Sequence, residues 1–338
     1  MPFLKTILLF FLIAQLQAQS HIPIFSTLTG EDLLDQVVAD YKTTTVLEYG
    51  PARDILYGTI DVKNDSVGCI YTDHKIYLPS GVDPSIHLYM GGASDGINAE
   101  HSYPRSKGAR EGNGFSDMHH LFPSRAAVNA SRSNFPYADI NDDQTTSWFY
   151  LNLNQSNTPG ASIDLYSERR NGAFEPRESK KGDIARAVIY FYTMYTDEAL
   201  AADPEFFEAQ RETLCRWHRE DPVDVTEWER TFMIAEYQDD LPNPFILDST
   251  LVDRAYREGV TGVSDRNLEE VKIYPNPVVD VLHVDLKGRA IVKVVDTSGK
   301  VYFDKVVDGS VDLDFSEFVR GTYFVIVNGN FYKIFVAV

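Results

Sequence analysis

Cysteine is nearly missing from this 338-residue chain: only Cys69 and Cys215 occur. Two cysteines allow one disulfide outside the cytoplasm, but they exclude a disulfide framework and do not by themselves make a zinc site. Long apolar runs are also missing. The longest, Ile7 to Ala14, falls far short of the roughly 20 residues needed to cross a bilayer, and no later stretch replaces it, so a membrane span is not expected. Positive charge is scarce as well, with 31 Lys and Arg against 50 Asp and Glu, a net charge of -19. On its face such a balance opposes a polyanionic partner.

The distribution of charge softens that exclusion. Residues 98–138 carry five basic residues (Arg105, Lys107, Arg110, Arg125, Arg132) against three acidic ones, and residues 165–190 carry six against four. The middle of the chain is therefore locally basic. At the other extreme, MPFLKTILLFFLIAQLQA has a lysine at Lys5, an apolar core and a small-residue end at Ala18, the pattern of a secretory signal peptide over residues 1–18. Some 320 residues remain, which suggests two domains.

Periodicity places several elements. Leu34, Val37, Val38 and Tyr41 recur at helical spacing in residues 31–42, and GDIARAVIYFYTMY (182–195) reads as a buried helix with Asp183 in its first turn. A further helix is expected over 204–217 and a strand over 70–78. Beyond Leu247 a polar segment (251–267) reads as a linker. Past it, Pro275 and Pro277 exclude a helix, and alternating runs broken at Ser298-Gly299 and Asn328-Gly329 read as β-hairpins. Residues 268–338 are thus expected to be a small all-β, sandwich-like module, after a helix-rich domain over 19–250.

The chemistry concentrates in NAEHSYPRS (98–106) and in GNGFSDMHHLFPSRAAVNASRSN (112–134). The first ends a strand; in the second, Phe115–Leu121 suits a strand and 124–131 a helix, with Pro123 in its first turn. This β, β, α order sets His101 and Asn129 on opposite arms. Oxygen ligands such as Glu100 and Asn129 suit a hard ion like Mg²⁺, a neutral imidazole at His101 suits proton abstraction from water, and a guanidinium suits a phosphate. One difficulty stands in the way. Adjacent side chains on a strand point to opposite faces, so Glu100 and His101 share one substrate only if the strand twists or ends there. The adjacent His119 and His120 lack companions at zinc-ligand spacing, so His119 is expected to support the site and His120 to pack or be solvated. Arg132 divides evenly between a nucleic-acid contact and a helix-end salt bridge. For Arg186 a buried structural ion pair is expected, and for Tyr190, Phe191, Tyr192 and Tyr195 a buried helix face.

Through Glu100-His101 with Pro104, Asp117-Met118-His119, Pro123, Val128-Asn129 and Arg132-Ser133-Asn134, the chain resembles the secreted, non-specific endonuclease I family of ββα-metal (His-Me finger) nucleases. The matches continue in Ile184-Ala185-Arg186, Trp217, Asp221-Pro222-Val223, Glu229-Arg230, Gln238 and Asn243-Pro244-Phe245, and upstream in Tyr49, Ala52-Arg53 and Ile70-Tyr71. The resemblance implies a metal-dependent phosphodiesterase acting on DNA, and on RNA as an open alternative, with His101 as general base, Glu100 and Asn129 as ligands of Mg²⁺ or another divalent cation, and products bearing 5′-phosphate. It implies a phosphate clamp for which Arg105, Lys107 and Arg110 compete, Arg110 being preferred, and a protein that works as a monomer. Where related sequences commonly read Gln-Gly-Asn-Arg-Asn-Pro-Phe, this chain has Gln238-Asp239-Asp240-Leu241-Pro242-Asn243-Pro244-Phe245, longer by one and without the arginine. The C-terminal module, through Ile273-Tyr274-Pro275-Asn276-Pro277 and Gly321-Thr322-Tyr323-Phe324, resembles the sorting domain of the type IX secretion system. That implies export to the medium or cell surface. The rival reading is a cell-surface nucleic-acid-binding or adhesion protein on an inactive nuclease scaffold.

Overall fold

The structure, a computed structural model, describes residues 21–256 and, towards the C-terminus, 271–286, 289–296, 300–316, 318–327 and 330–337. The signal-peptide segment and the Ser298-Gly299 and Asn328-Gly329 turns lie outside the described residues. Contacts divide the chain into two units, residues 1–261 and 262–338. The expected linker needs a correction at its start, because Leu251–Tyr256 is helical, with Leu251, Val252 and Tyr256 buried in the core of the first unit. The polar composition of 251–267 hid an apolar helix face.

The first unit is built around the helix Lys181–Met194, in which every residue except Tyr192 is buried. Helices Gly30–Tyr41, Arg211–Glu220 and Leu251–Tyr256 share its core; in the first, the helix is as expected but its buried face is Leu33 and Val37, while the expected Leu34, Val38 and Tyr41 are only partly buried. The helix expected over 204–217 starts later, at Arg211. The strand expected over 70–78 shrinks to Lys75–Tyr77, which pairs with Ser66–Gly68, while residues 70–74 turn. All strand ladders are antiparallel, and each sheet is small. Cys69 and Cys215 are both buried and free.

The central helix also carries a buried charge. Arg186, fully buried, donates through Nε and Nη2 to both oxygens of Glu227 at 2.7 and 2.6 Å and through Nη1 to the Asp221 carbonyl at 3.0 Å. Gly182 makes this approach possible: a Cβ there would collide with the Asp221 carbonyl and the Arg186 guanidinium. His218 completes the cluster, its Nε2 facing the Ser249 carbonyl at 2.9 Å and its Nδ1 facing Arg186. A carbonyl accepts only, so Nε2 bears the proton and Nδ1 is bare. Burial, aided by Arg186, lowers the His218 pKa to about 4. An unfolded histidine protonates near pH 6.5, so below that pH the unfolded chain binds the extra proton and the group's contribution falls as pH drops from 6.5 towards 4. Relative to His218→Gln, the wild type should lose on the order of 3 kcal/mol over this window, read from urea melts at several pH values. A constant difference between the two proteins would refute the assignment.

The C-terminal unit holds two antiparallel sheets. Lys272–Tyr274, Val281–Asp285 and Val311–Asp314 form one; Val301–Asp308, Arg289–Asp296, Gly321–Val327 and Asn330–Val336, in that spatial order, form the other. Val284, Val292, Val294, Leu313, Phe315 and Val325 share its core. Along Gly321–Val327 burial alternates, with Tyr323, Val325 and Val327 buried and the residues between them half-buried, and the two sheets together are the all-β module expected.

Candidate active site

Strand Ile97–His101 pairs antiparallel with Leu121–Arg125, Glu100 opposite Phe122 and His101 opposite Leu121. The chain then enters the helix Ala126–Arg132 directly. The β, β, α order expected from the sequence is present, but its second strand starts later. Residues 113–120 form two short 3-10 turns in place of a strand, and Pro123 sits within the second strand, opposite Ala99. Asp117 explains the shift. Buried, it accepts from the His119 amide (3.0 Å), Tyr190 (2.9 Å), Tyr195 (2.8 Å) and Gln238 (2.8 Å), and such a node pins a turn.

Glu100 and His101 leave the strand towards different neighbours, as the period of two demands. Both nevertheless border one cavity of about 540 Å³, because the strand ends at His101. Asn98, Asn129, Arg105 and Arg110 border it too.

His101 is held by its surroundings in one protonation form. Its Nε2 lies 3.0 Å from the Phe115 carbonyl, so that nitrogen carries the hydrogen and Nδ1 keeps its lone pair. Phe115 stacks on the imidazole with ring centroids 5.5 Å apart, and Tyr49 flanks both rings. Burial, helped by the neighbouring His120, pushes the His101 pKa down to about 3, so the ring is neutral.

Asn129 spends both amide hydrogens inward, on Asn98 Oδ1 (2.7 Å) and the Ala99 carbonyl (3.2 Å), which leaves its Oδ1 for the cavity. Glu100 is buried, and its contacts converge on Oε1: the Tyr71 hydroxyl at 2.8 Å, the Tyr137 hydroxyl at 3.5 Å and Arg132 Nε at 3.3 Å. Burial raises its pKa, against the pull of Arg132 and the two tyrosines. A carboxylate oxygen and an amide oxygen suit a hard divalent cation that keeps several waters. Among the described residues no group of three or more His, Cys, Asp or Glu could hold a metal ion, so an ion held here would rely on this oxygen pair and on water.

The structure bears on three sequence expectations. Lys107 is removed from the phosphate competition, because it pairs with Asp203 at 2.6 Å and lies over Phe206. Arg132 borders the cavity but is 1% exposed, and its donors point to the carbonyls of His101, Ser102 and Ser133, so it braces the strand and Glu100 where a phosphate contact was one of two expectations. His119, expected to support the site, turns its Nε2 to the Leu241 carbonyl at 2.9 Å and its ring against Tyr190. The histidine directly behind His101 is His120, buried, with ring centroids 5.5 Å apart and Nε2 2.7 Å from the Gly114 carbonyl. Sequence reading gave Tyr49 and Tyr71 no role at the site, expected His120 only to pack or be solvated, and did not name Tyr137. The one signal for any of them was the match at Tyr49 and Ile70-Tyr71.

Arg105 and Arg110 are exposed at the cavity, and Arg105 lies over the Phe115 ring at 4.9 Å. Among the described residues neither makes an ion pair. By contrast, four cations of the next cavity, about 390 Å³ along Phe122 and Pro123, already sit beside acids: Lys75 and Arg177 beside Asp73, Lys180 beside Asp183, Arg230 beside Asp61.

Residues 29–250 match the endonuclease I family across this whole arrangement. The chain belongs to the endonuclease I family. Its hairpin and helix are that family's ββα-metal core. Residues 272–336 match a secretion-system C-terminal sorting domain, and a family member carrying that module is secreted or displayed at the cell surface. The chain is 29% identical over 233 residues to an extracellular ribonuclease of Bacillus subtilis (strain 168), spanning 64% of this chain and 72% of that protein. It is 31% identical over 130 residues to an extracellular deoxyribonuclease of Aeromonas hydrophila, and 32% identical over 130 residues to a periplasmic deoxyribonuclease of the same organism. Those two alignments span 38% of this family member and 48% and 46% of the relatives, about half their length.

Proposed function

We propose that the protein is an exported, divalent-metal-dependent endonuclease that hydrolyses phosphodiester bonds in DNA, with RNA as a second substrate and little sequence preference. The observation that carries this reading is His101 held as a neutral base, Nε2 on the Phe115 carbonyl and Nδ1 bare, beside one cavity shared with Glu100 and Asn129. Relatives named for ribonuclease and for deoxyribonuclease activity support both substrates.

His101 Nδ1 takes the proton from the attacking water, and Phe115 and Tyr49 keep the ring from turning away. Arg110 and Arg105, which make no ion pair among the described residues, hold the phosphate oxygens from the rim. Glu100 and Asn129 would hold Mg²⁺ or another divalent ion, which when bound supplies positive charge to the phosphate and the departing oxygen. Hydrolysis leaves the 5′ side as phosphate. The C-terminal domain directs the protein to the type IX secretion machinery, and the nuclease unit acts as a monomer. No helix among the described residues is long and apolar enough to cross a membrane.

The test uses the mature protein and supercoiled plasmid. With Mg²⁺ the plasmid is nicked and degraded; with excess EDTA cleavage stops, and added Mg²⁺ restores it. A protein that shifts plasmid in a gel without nicking it under any divalent ion would be the binding-only alternative.

A further inference from the structure

We infer that Tyr71 and Tyr137 are positioning residues for Glu100: they fix its Oε1 so that Oε2 alone is offered to a divalent cation. The inference rests on the metal reading proposed above and deepens it.

Four side chains make the arrangement, none more than 2% exposed. Tyr71 Oη lies 2.8 Å from Glu100 Oε1 and 2.7 Å from Tyr137 Oη, whereas Tyr137 Oη is 3.5 Å from the carboxylate. Proton accounting fixes the direction. A carboxylate oxygen only accepts, so the Tyr71 hydroxyl gives its one hydrogen to Glu100, and the Tyr137 hydroxyl gives its hydrogen to Tyr71. The two phenols form a relay, with Tyr71 in contact and Tyr137 acting through it. Arg132 closes the group, its guanidinium 4.6 Å from the centre of the Tyr137 ring and its Nε 3.3 Å from the same Glu100 oxygen.

What this arrangement leaves out matters as much. Among the described residues no hydrogen bond or ion pair reaches Glu100 Oε2, and that oxygen is not one of the fully buried polar atoms left without a partner, as expected if it opens onto the cavity Glu100 lines. A fold that needed only a buried ion pair would let Arg132 take both oxygens in a fork, as Arg186 does with Glu227. Here Tyr71 donates to Oε1, with Tyr137 behind it and Arg132 Nε beside the same oxygen as an ion pair without a hydrogen bond, and Oε2 is left for the cavity that Asn129 also borders. Partners that orient a metal-binding side chain commonly govern affinity by 10- to 100-fold.

Equilibrium binding of Mn²⁺ to the full-length mature protein, followed by the electron paramagnetic resonance signal of free Mn²⁺, tests this without reference to cleavage. Wild type, Glu100→Gln, Tyr71→Phe and Tyr137→Phe are compared, with thermal melts for each. Tyr71→Phe should weaken Mn²⁺ by about 10- to 100-fold and Tyr137→Phe by less, out of proportion to any change in melting temperature. If Glu100→Gln loses Mn²⁺ while both phenylalanine variants bind as the wild type does, the inference is overturned and the metal reading stands. If Glu100→Gln binds Mn²⁺ unchanged, Glu100 is no ligand and both fall. Should Tyr71→Phe fail to fold, Tyr137→Phe still decides, because wild-type affinity there breaks the relay.

Discussion

His101→Ala should cut plasmid cleavage by about 10²- to 10⁴-fold, the usual worth of a positioned general base, while the protein stays folded. The size follows from how completely the site commits to one imidazole nitrogen. Nε2 is spent on the Phe115 carbonyl, and Phe115, Tyr49 and His120 fix the ring plane. No neighbour can stand in: His119 is turned to Leu241, and His120 is buried against Gly114. The fold should survive, since the ring borders the cavity and its removal orphans one backbone carbonyl. Cleavage rates with the melting temperature measured alongside check this. A variant that cuts within threefold of the parent would mean that another group activates the water.

Arg186→Met should be the most damaging single change to stability, costing about 3–5 kcal/mol. It strands Glu227, which is 5% exposed and has both oxygens on that guanidinium, and it frees the Asp221 carbonyl and His218 Nδ1 of their donor. The double variant Arg186→Met with Glu227→Leu should recover much of the loss, because removing both charges removes the stranded one. Urea denaturation of the parent, the two single variants and the double variant measures it as a cycle. If the double variant is no more stable than Arg186→Met, the cost lies in packing and not in an unpaired carboxylate.

The elements where sequence and structure diverge share a cause. Pro123 reads locally as a helix's first residue, yet it lies in a strand because Asp117, tied to Tyr190, Tyr195 and Gln238, delays that strand until Leu121. The longer Gln238-Asp239-Asp240 stretch reads as a lost phosphate contact. In the fold, Asp239 accepts from the Thr44 and Thr45 amides at 2.6 and 2.9 Å, and Asn113 reaches the Thr44 carbonyl at 3.0 Å. The insertion therefore ties down the loop whose Phe115 carbonyl orients His101. Lys107 loses its expected role to Asp203, 96 residues away.

By itself the sequence determined the chain's class and the addresses of its chemistry. The ordered matches place Glu100, His101 and Asn129, helical periodicity places 31–42 and 182–195, and alternation marks the C-terminal module as β. These are local properties, carried by spacing within a few residues. Only the tertiary structure decided which atoms are left free at the cavity. That His101 keeps Nδ1 without a hydrogen, that Asn129 spends its amide hydrogens elsewhere and that Glu100 has one oxygen without a partner depend on Phe115, Asn98 and Tyr71, brought in from other segments. A hydrogen bond between distant residues fixes a tautomer or a rotamer and leaves no periodic trace in the sequence. For that reason the adjacent pair Glu100-His101, which a strand should split, serves one cavity: the strand ends at His101, and the surrounding fold aims each side chain.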